Sequence, residues 1–183
     1  MSKGVRRWLS LIGLAGFVLL IDQVSKRIVV DQLVMGQTVA PVPALVPYFQ
    51  ITLSENTGSA FGFLPQAGDL FLIIAIVVVI GLIAFFPRIP DSARLTRTGI
   101  ALVCGGALGN ALDRIEYGAV IDFIHYQIPG IVSNVSNLAD HAIVLGVALI
   151  FIDSWRGEAR REKMAAADKQ EAVAAERDAQ PHE

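Results

Sequence analysis

Apolar and polar stretches alternate along the chain in a pattern that predicts four long helices. Lys3, Arg6 and Arg7 precede Leu9 to Ile21, a run without a charge. No small-x-small cleavage pattern follows it, so a retained first helix over about 7–30 is expected rather than a cleaved signal. Leu70 to Phe86 is seventeen residues without a charge and is the clearest membrane span. Pro87-Arg88-Ile89-Pro90 ends it. A third span is expected over 97–114, where Gly105 and Gly109 make a small-xxx-small face that lets helices approach closely. A fourth is expected over 136–155, with an apolar body from Ala142 to Ile152 and Trp155 at its far interface.

The intervening segments differ from one another. Residues 31–69 carry Pro41, Pro43, Pro47 and Pro65 and alternate in polarity around Tyr48 to Leu53, as a small strand-containing domain does. Residues 115–135 read as a connector. The tail, 156–183, is rich in Ala, Glu, Lys and Arg and is expected to be solvated, helical in part, and frayed or flexible. The predicted fold is therefore a mainly α membrane protein with a four-helix domain over 1–155. A small extracytoplasmic β-domain is inserted over 31–69, between the first and second helices, and a polar cytoplasmic tail follows.

Composition supports a membrane protein: 54% of residues are hydrophobic and only 17% charged, against about 25% charged in soluble domains. The Lys and Arg residues sit at the N-terminus, in the 88–97 connector and in the tail, while 31–69 and 115–135 hold none. By the positive-inside rule both termini and the basic connector face the cytoplasm, and the Lys/Arg-free segments face outward. One cysteine, Cys104, and three histidines make a usual Cys/His zinc site an unlikely design. A site built from two Asp with His125 and His141 is a weaker alternative.

That topology brings Asp22, Asn56, Asn110, Asp113, Arg114, Asp122, Asn137 and Asp140 to one outer membrane face. Ionisable residues at such a boundary point to function. Asp122 and Asp140 are the candidate catalytic pair. Two carboxylates sharing one proton across a water can activate that water and protonate a scissile carbonyl, because like charges a few ångströms apart do not both ionise. The rival nucleophiles Ser133, Ser136 and Ser154 lack an evident Lys or His partner in the sequence. Asp22 and Lys26 share a helix face at i, i+4 and read either as an interfacial ion pair with Lys26 reaching outward or as a substrate-orienting pair. Asn56 and Gly58 read as a turn or, for Asn56, as a site-lining amide. Asn137 reads as a helix cap or as a donor to the carboxylates, as Asn110 does. Asp113-Arg114 reads most simply as an ion pair, with Arg114 also able to order the segment carrying Asp122.

Five motifs in order carry a family resemblance: Asp22-Gln23-x-x-Lys26; Asn56-Thr57-Gly58-Ser59-Ala60-Phe61; Gly105-Gly106-Ala107-Leu108-Gly109-Asn110 with Asp113-Arg114; Val120-Ile121-Asp122-Phe123; and Asn137-Leu138-Ala139-Asp140. Over roughly 9–155 the chain resembles the bacterial lipoprotein signal peptidases, also called signal peptidase II. The resemblance implies a four-helix inner-membrane aspartic endopeptidase with its active site at the outer face. Such an enzyme removes signal peptides from diacylglyceryl-modified prolipoproteins, cutting just before the lipidated cysteine. It implies Asp122 and Asp140 as the catalytic pair, supported by Asp22, Lys26, Asn56, Asn110, Arg114 and Asn137. It implies no metal and no organic cofactor. Prolipoproteins and membrane lipids are the expected partners, nucleic acid is not, and a monomer is expected. The chain departs from the family pattern at Ser136, where an aromatic is usual, and in 124–135, where Tyr126 is the only aromatic. Two other readings stay open at this point: a relative that binds lipoproteins without cutting them, and a small transporter using boundary carboxylates as an ion relay.

Overall fold

The computed structural model describes residues 1–58 and 67–178, with residues 159–178 described by their backbone alone. Ser59, Ala60 and Phe61 of the second motif, and Pro65, lie outside the described residues. Four helices are present: α1 (Lys3–Gln32), α2 (Ala67–Phe85), α3 (Arg94–Tyr117) and α4 (Leu138–Asp178). Each predicted span overlaps one of them: 7–30 and 97–114 lie inside α1 and α3, Phe86 falls just past the end of α2, and Ser136 and Asn137 precede α4. The backbone of α4 runs beyond 155 as helix to Asp178, in line with the partly helical tail the sequence leads one to expect.

Three of the helices are long and apolar enough to cross a membrane: α1, α2 over Gly68–Arg88, and α4 over Leu138–Glu158. They turn large apolar side chains outward, among them Phe17 and Leu20 on α1, Ile73, Val77 and Ile80 on α2, and Val144 and Phe151 on α4. Soluble proteins rarely expose apolar surface so continuously. The third helix is different because the other three surround it. Asn110, Asp113 and Arg114 lower its hydropathy, and most of its small residues are buried.

Glycine makes that central position workable. A Cβ at Gly105 would run into the Ala15 carbonyl and Val18 of α1, while Gly99 and Gly146 bring α3 and α4 backbone to backbone. The expected small-residue face at Gly105 and Gly109 is thus turned to α1. Close backbone approach of this kind supplies packing where lipid removes the hydrophobic drive between helices.

The strands extend the sequence expectation. A four-stranded antiparallel sheet runs in the order β1 (Thr38–Val39), β2 (Phe49–Asn56), β3 (Val120–Ile128), β4 (Val132–Ser136). Only β1 and β2 come from the 31–69 segment. The 115–135 stretch is not a simple connector: it holds β3 and a hairpin to β4 turning at Gly130, whose φ is 76°. Residues 120–124 are all buried, so they lack the polar alternation that marks a half-exposed strand. Gly118, at φ 72°, closes α3 in a left-handed cap and sends the chain directly into β3.

Candidate active site

The sheet and helices meet at one end of the bundle, where every predicted site residue is found. Asp22 and Lys26 stand on one face of α1. Asn110, Asp113 and Arg114 come from the last turns of α3. Asp122 sits on β3, Asn56 ends β2, and Asn137 and Asp140 begin α4.

Three asparagine amides hold the two aspartates, and each is oriented by an obligatory donor. The Gly58 N–H donates to Asn56 Oδ1 at 2.9 Å, so Asn56 Nδ2 faces Asp122 Oδ2 at 3.0 Å. The Asp140 N–H donates to Asn137 Oδ1 at 2.9 Å, so Asn137 Nδ2 faces Asp122 Oδ1 at 2.6 Å. Lys26 Nζ, which can only donate, meets Asn110 Oδ1 at 3.0 Å, so Asn110 Nδ2 faces Asp140 Oδ1 at 2.7 Å. Asn137 Nδ2 also lies 3.2 Å from Asn110 Oδ1, which links the supports of the two carboxylates. Helix capping and carboxylate support are therefore one arrangement at Asn137: its oxygen caps α4 while its nitrogen holds Asp122.

Behind the amides lies a buried ionic cluster. Lys26 Nζ is 2.8 Å from Asp22 and 2.7 Å from Asp113, and all three side chains are sequestered. Lys26 points inward, not toward the interface. Asp113 pairs with Lys26 rather than with its neighbour Arg114, and the same oxygen accepts from the Ile121 N–H at the base of β3, at 3.1 Å. Asp22 accepts from the Ala139 N–H in the first turn of α4 at 2.9 Å, so one carboxylate ties α1 to α4. A Cβ at Gly109 would overlap that carboxylate, which places a second small residue under chemical constraint.

Arg114 is turned the other way. Its guanidinium lies over the Phe71 ring of α2 at 5.5 Å and donates to the Asn110 carbonyl at 3.2 Å. Asn56, Gly58, Phe71, Arg114, Asp122 and Ser133 line a cleft of about 600 Å³. Burial pushes the Asp122 carboxyl up to about 6; the Asn56 hydrogen bond opposes the rise, and the nearby Asp140 charge adds to it.

Several functional contacts escape the sequence reading. Gln23 donates to Asp113 at 2.8 Å and to the Gly109 carbonyl at 3.2 Å; its place in the first motif was the available signal. Phe71 gave none, being one apolar residue in an apolar run. Ser133, which lacks an evident partner in the sequence, meets His125 Nε2 at 2.9 Å, and His125 Nδ1 meets Thr52 at 2.9 Å. The hairpin register places 125 opposite 135 and 127 opposite 133, so Ser133 and His125 are diagonal neighbours. Ser136, the departing position, is buried opposite Ile124, and its hydroxyl has no partner among the described residues.

Gly58 supports a direct test of amide orientation. Its φ is +77°, and a Cβ there would overlap the Phe71 ring. In Gly58→Ala the turn must open, and Asn56 loses the donor that aims it. A fall of roughly tenfold in turnover is expected at unchanged helix content by circular dichroism if Asp122 is the candidate it reads as, since one donor to a carboxylate is worth about 1–2 kcal/mol.

Comparison with known proteins places this geometry in context. Residues 14–156 match the family model described as signal peptidase (SPase) II. The lipoprotein signal peptidase of Anoxybacillus flavithermus is 38% identical over 151 residues, 82% of this chain and 88% of that protein. That of Pseudoalteromonas translucida is 36% identical over 162 residues, 86% of this chain and 92% of that protein. A solved structure described as a bacterial membrane enzyme is 34% identical, with a TM-score of 0.71, covering 82% of this chain and 90% of its own. A second structure under the same description gives a TM-score of 0.69 at 36% identity, over 78% of this chain and 90% of its own.

Proposed function

The chain belongs to the signal peptidase II family, and from that premise we propose that it is a two-aspartate endopeptidase of the bacterial inner membrane. It removes signal peptides from diacylglyceryl-modified prolipoproteins, cutting just before the lipidated cysteine. One observation carries the mechanism: Asp122 and Asp140, from a strand and a helix, are aimed into one site by linked asparagines. The ionised carboxylate takes a proton from water as the oxygen attacks the scissile carbonyl. The protonated carboxyl gives its proton to the carbonyl oxygen. Collapse of the tetrahedral species then returns a proton to the leaving nitrogen, and the pair cycles as a unit.

In this reading α1 to α4 are four membrane spans with both termini cytoplasmic, and the site lies at the outer membrane boundary. The lipidated cysteine and the signal peptide both keep apolar parts in the bilayer, so the bond between them lies at that depth. The enclosed α3 counts as a span because its polar residues face protein, as such residues do inside membranes. In this topology 1–155 form the peptidase domain and 156–183 extend into the cytoplasm.

The test is cleavage of a diacylglyceryl-modified prolipoprotein by the purified protein in detergent, beside the unlipidated precursor. Cleavage of the lipidated substrate alone is expected. Binding without cleavage would instead identify a silent relative and overturn the proposal.

The raised Asp122 carboxyl sets a pH dependence. Below about 6 the Asp122 carboxyl keeps its proton; above it that carboxyl ionises and the general acid is lost. The alkaline limb of kcat/KM, which reports the free enzyme, is expected near 6. The limb of kcat lies higher, because bound lipid substrate excludes more water and favours the neutral carboxyl. Removing the Asn56 donor by Asn56→Ala moves the kcat/KM limb upward, since that hydrogen bond favours the ionised form. An alkaline limb unmoved by that change would separate it from Asp122.

A further inference from the structure

The far end of the bundle holds a second cavity, of about 550 Å³, between the first turns of α1 and α3. Lys3, Arg6, Arg7, Arg94 and Arg97 line it, facing a single acid, Asp91. Asp91 is already shared. Its carboxylate lies 3.3 Å from Arg7 and 3.0 Å from Arg97, and its carbonyl accepts from Arg97 at 2.8 Å. Lys3, Arg6 and Arg94 remain exposed, with no ion pair among the described residues.

Their placement runs against helix electrostatics. The positive end of a helix dipole favours acids in the first turn. Neither α1 nor α3 has one there, and α3 has no side-chain cap. Cations occupy both first turns instead. Two helix N-termini and a surplus of cations around one hollow repel each other unless an anion sits between them. The lining also has an apolar part, Leu11 and Ala101. On the Arg6 face of α1, at helical spacing, follow Ser10, Gly13 and Phe17. Gly13 leaves open space beside the helix, and Phe17 is exposed.

We propose that this cavity binds the phosphate group of an anionic phospholipid in the leaflet opposite the aspartate pair, with an acyl chain along the Gly13–Phe17 face of α1. The leaflet assignment rests on the topology proposed above; the binding does not, and its test reads no cleavage. A diester phosphate fits between Lys3, Arg6 and Arg94 because all three are donors without acceptors of their own. Free phosphate offers the same oxygens without the chain, so the source is decided by experiment.

Native mass spectrometry of the full-length protein in a neutral detergent, titrated with phosphatidylglycerol, phosphatidylcholine or inorganic phosphate, provides the test. One saturable phosphatidylglycerol adduct is expected, well ahead of phosphatidylcholine. The triple variant Lys3→Gln/Arg6→Gln/Arg94→Gln should weaken it about a hundredfold, at roughly fivefold per cation. These side chains are exposed, so the thermal midpoint should stay at the native value. The comparison variant Arg88→Gln/Arg156→Gln removes cations outside the cavity and should leave binding within about twofold, because screened charges act only nearby. Equal weakening by both variants would mean diffuse surface attraction and would overturn the site. Binding of inorganic phosphate as tight as that of phosphatidylglycerol, or no preference for phosphatidylglycerol over phosphatidylcholine, would overturn the lipid assignment.

Discussion

Asp140→Asn is expected to lower cleavage of a lipidated prolipoprotein by at least about a thousandfold while leaving the fold intact. A positioned acid or base contributes about 10²–10⁴ each. In the proposed mechanism one proton serves both carboxylates, so losing either member removes both functions. The two single variants differ in a way that follows from their hydrogen bonds. Asp140 accepts from Asn110 on one oxygen, so an amide at 140 can turn its oxygen to Asn110 and its NH₂ elsewhere. Asp122 accepts on both oxygens, from Asn137 and from Asn56. An amide there must set its NH₂ against one of those donors, a clash that costs about 1–3 kcal/mol. Asp122→Asn should therefore be as inactive as Asp140→Asn but measurably less stable, and the double variant no slower than either single one. Cleavage within tenfold of native by either variant would remove that residue from the chemistry.

The same hydrogen bonds explain what was legible in the chain. Apolar runs find membrane helices because lipid demands them, and α1, α2 and α4 carry that signature plainly. The charged and amide residues of the site were also legible, since polar groups are costly beside such runs and need a reason to be there. Their partners were not. Lys26 looked free to reach outward because its acceptor Asp113 lies on another helix. Asp113 seemed paired with Arg114 because adjacency in sequence hides that neighbouring helical side chains point apart. The hairpin of β3 and β4 stayed hidden for a related reason. Residues 120–124 are buried on both sides between the sheet and the helix ends, which erases the period of two. Half of the sheet therefore reads as a connector, and with it the pairing of Ser133 and His125. What sequence conveys least is direction: which donor holds an asparagine's oxygen, and so which carboxylate its nitrogen serves.

Lys26→Met should be the most destabilising single change in the site, costing about 3–5 kcal/mol. Methionine nearly matches the lysine in length, so packing survives and the effect isolates the charge. Lys26 spends its three donors on Asp22, Asp113 and Asn110. Without it two sequestered carboxylates face each other with no cation between them. Asn110 also loses the shorter of the two donors to its oxygen, so only the 3.2 Å contact from Asn137 still aims its nitrogen at Asp140. Stability and cleavage should thus fall together, although the partners of Lys26 are neither Asp122 nor Asp140. A mutant cycle separates this from simple loss of packing. Asp113→Asn alone breaks a good ion pair, but in the Lys26→Met background it removes a stranded charge and should restore part of the lost stability. Denaturant unfolding of the four proteins in detergent reads that coupling. If Lys26→Met cost under about 1 kcal/mol, as exposed pairs do, the cluster would be solvated in the working enzyme. The rigid aiming of Asn110 at Asp140 would then have to come from the Asn137 contact alone.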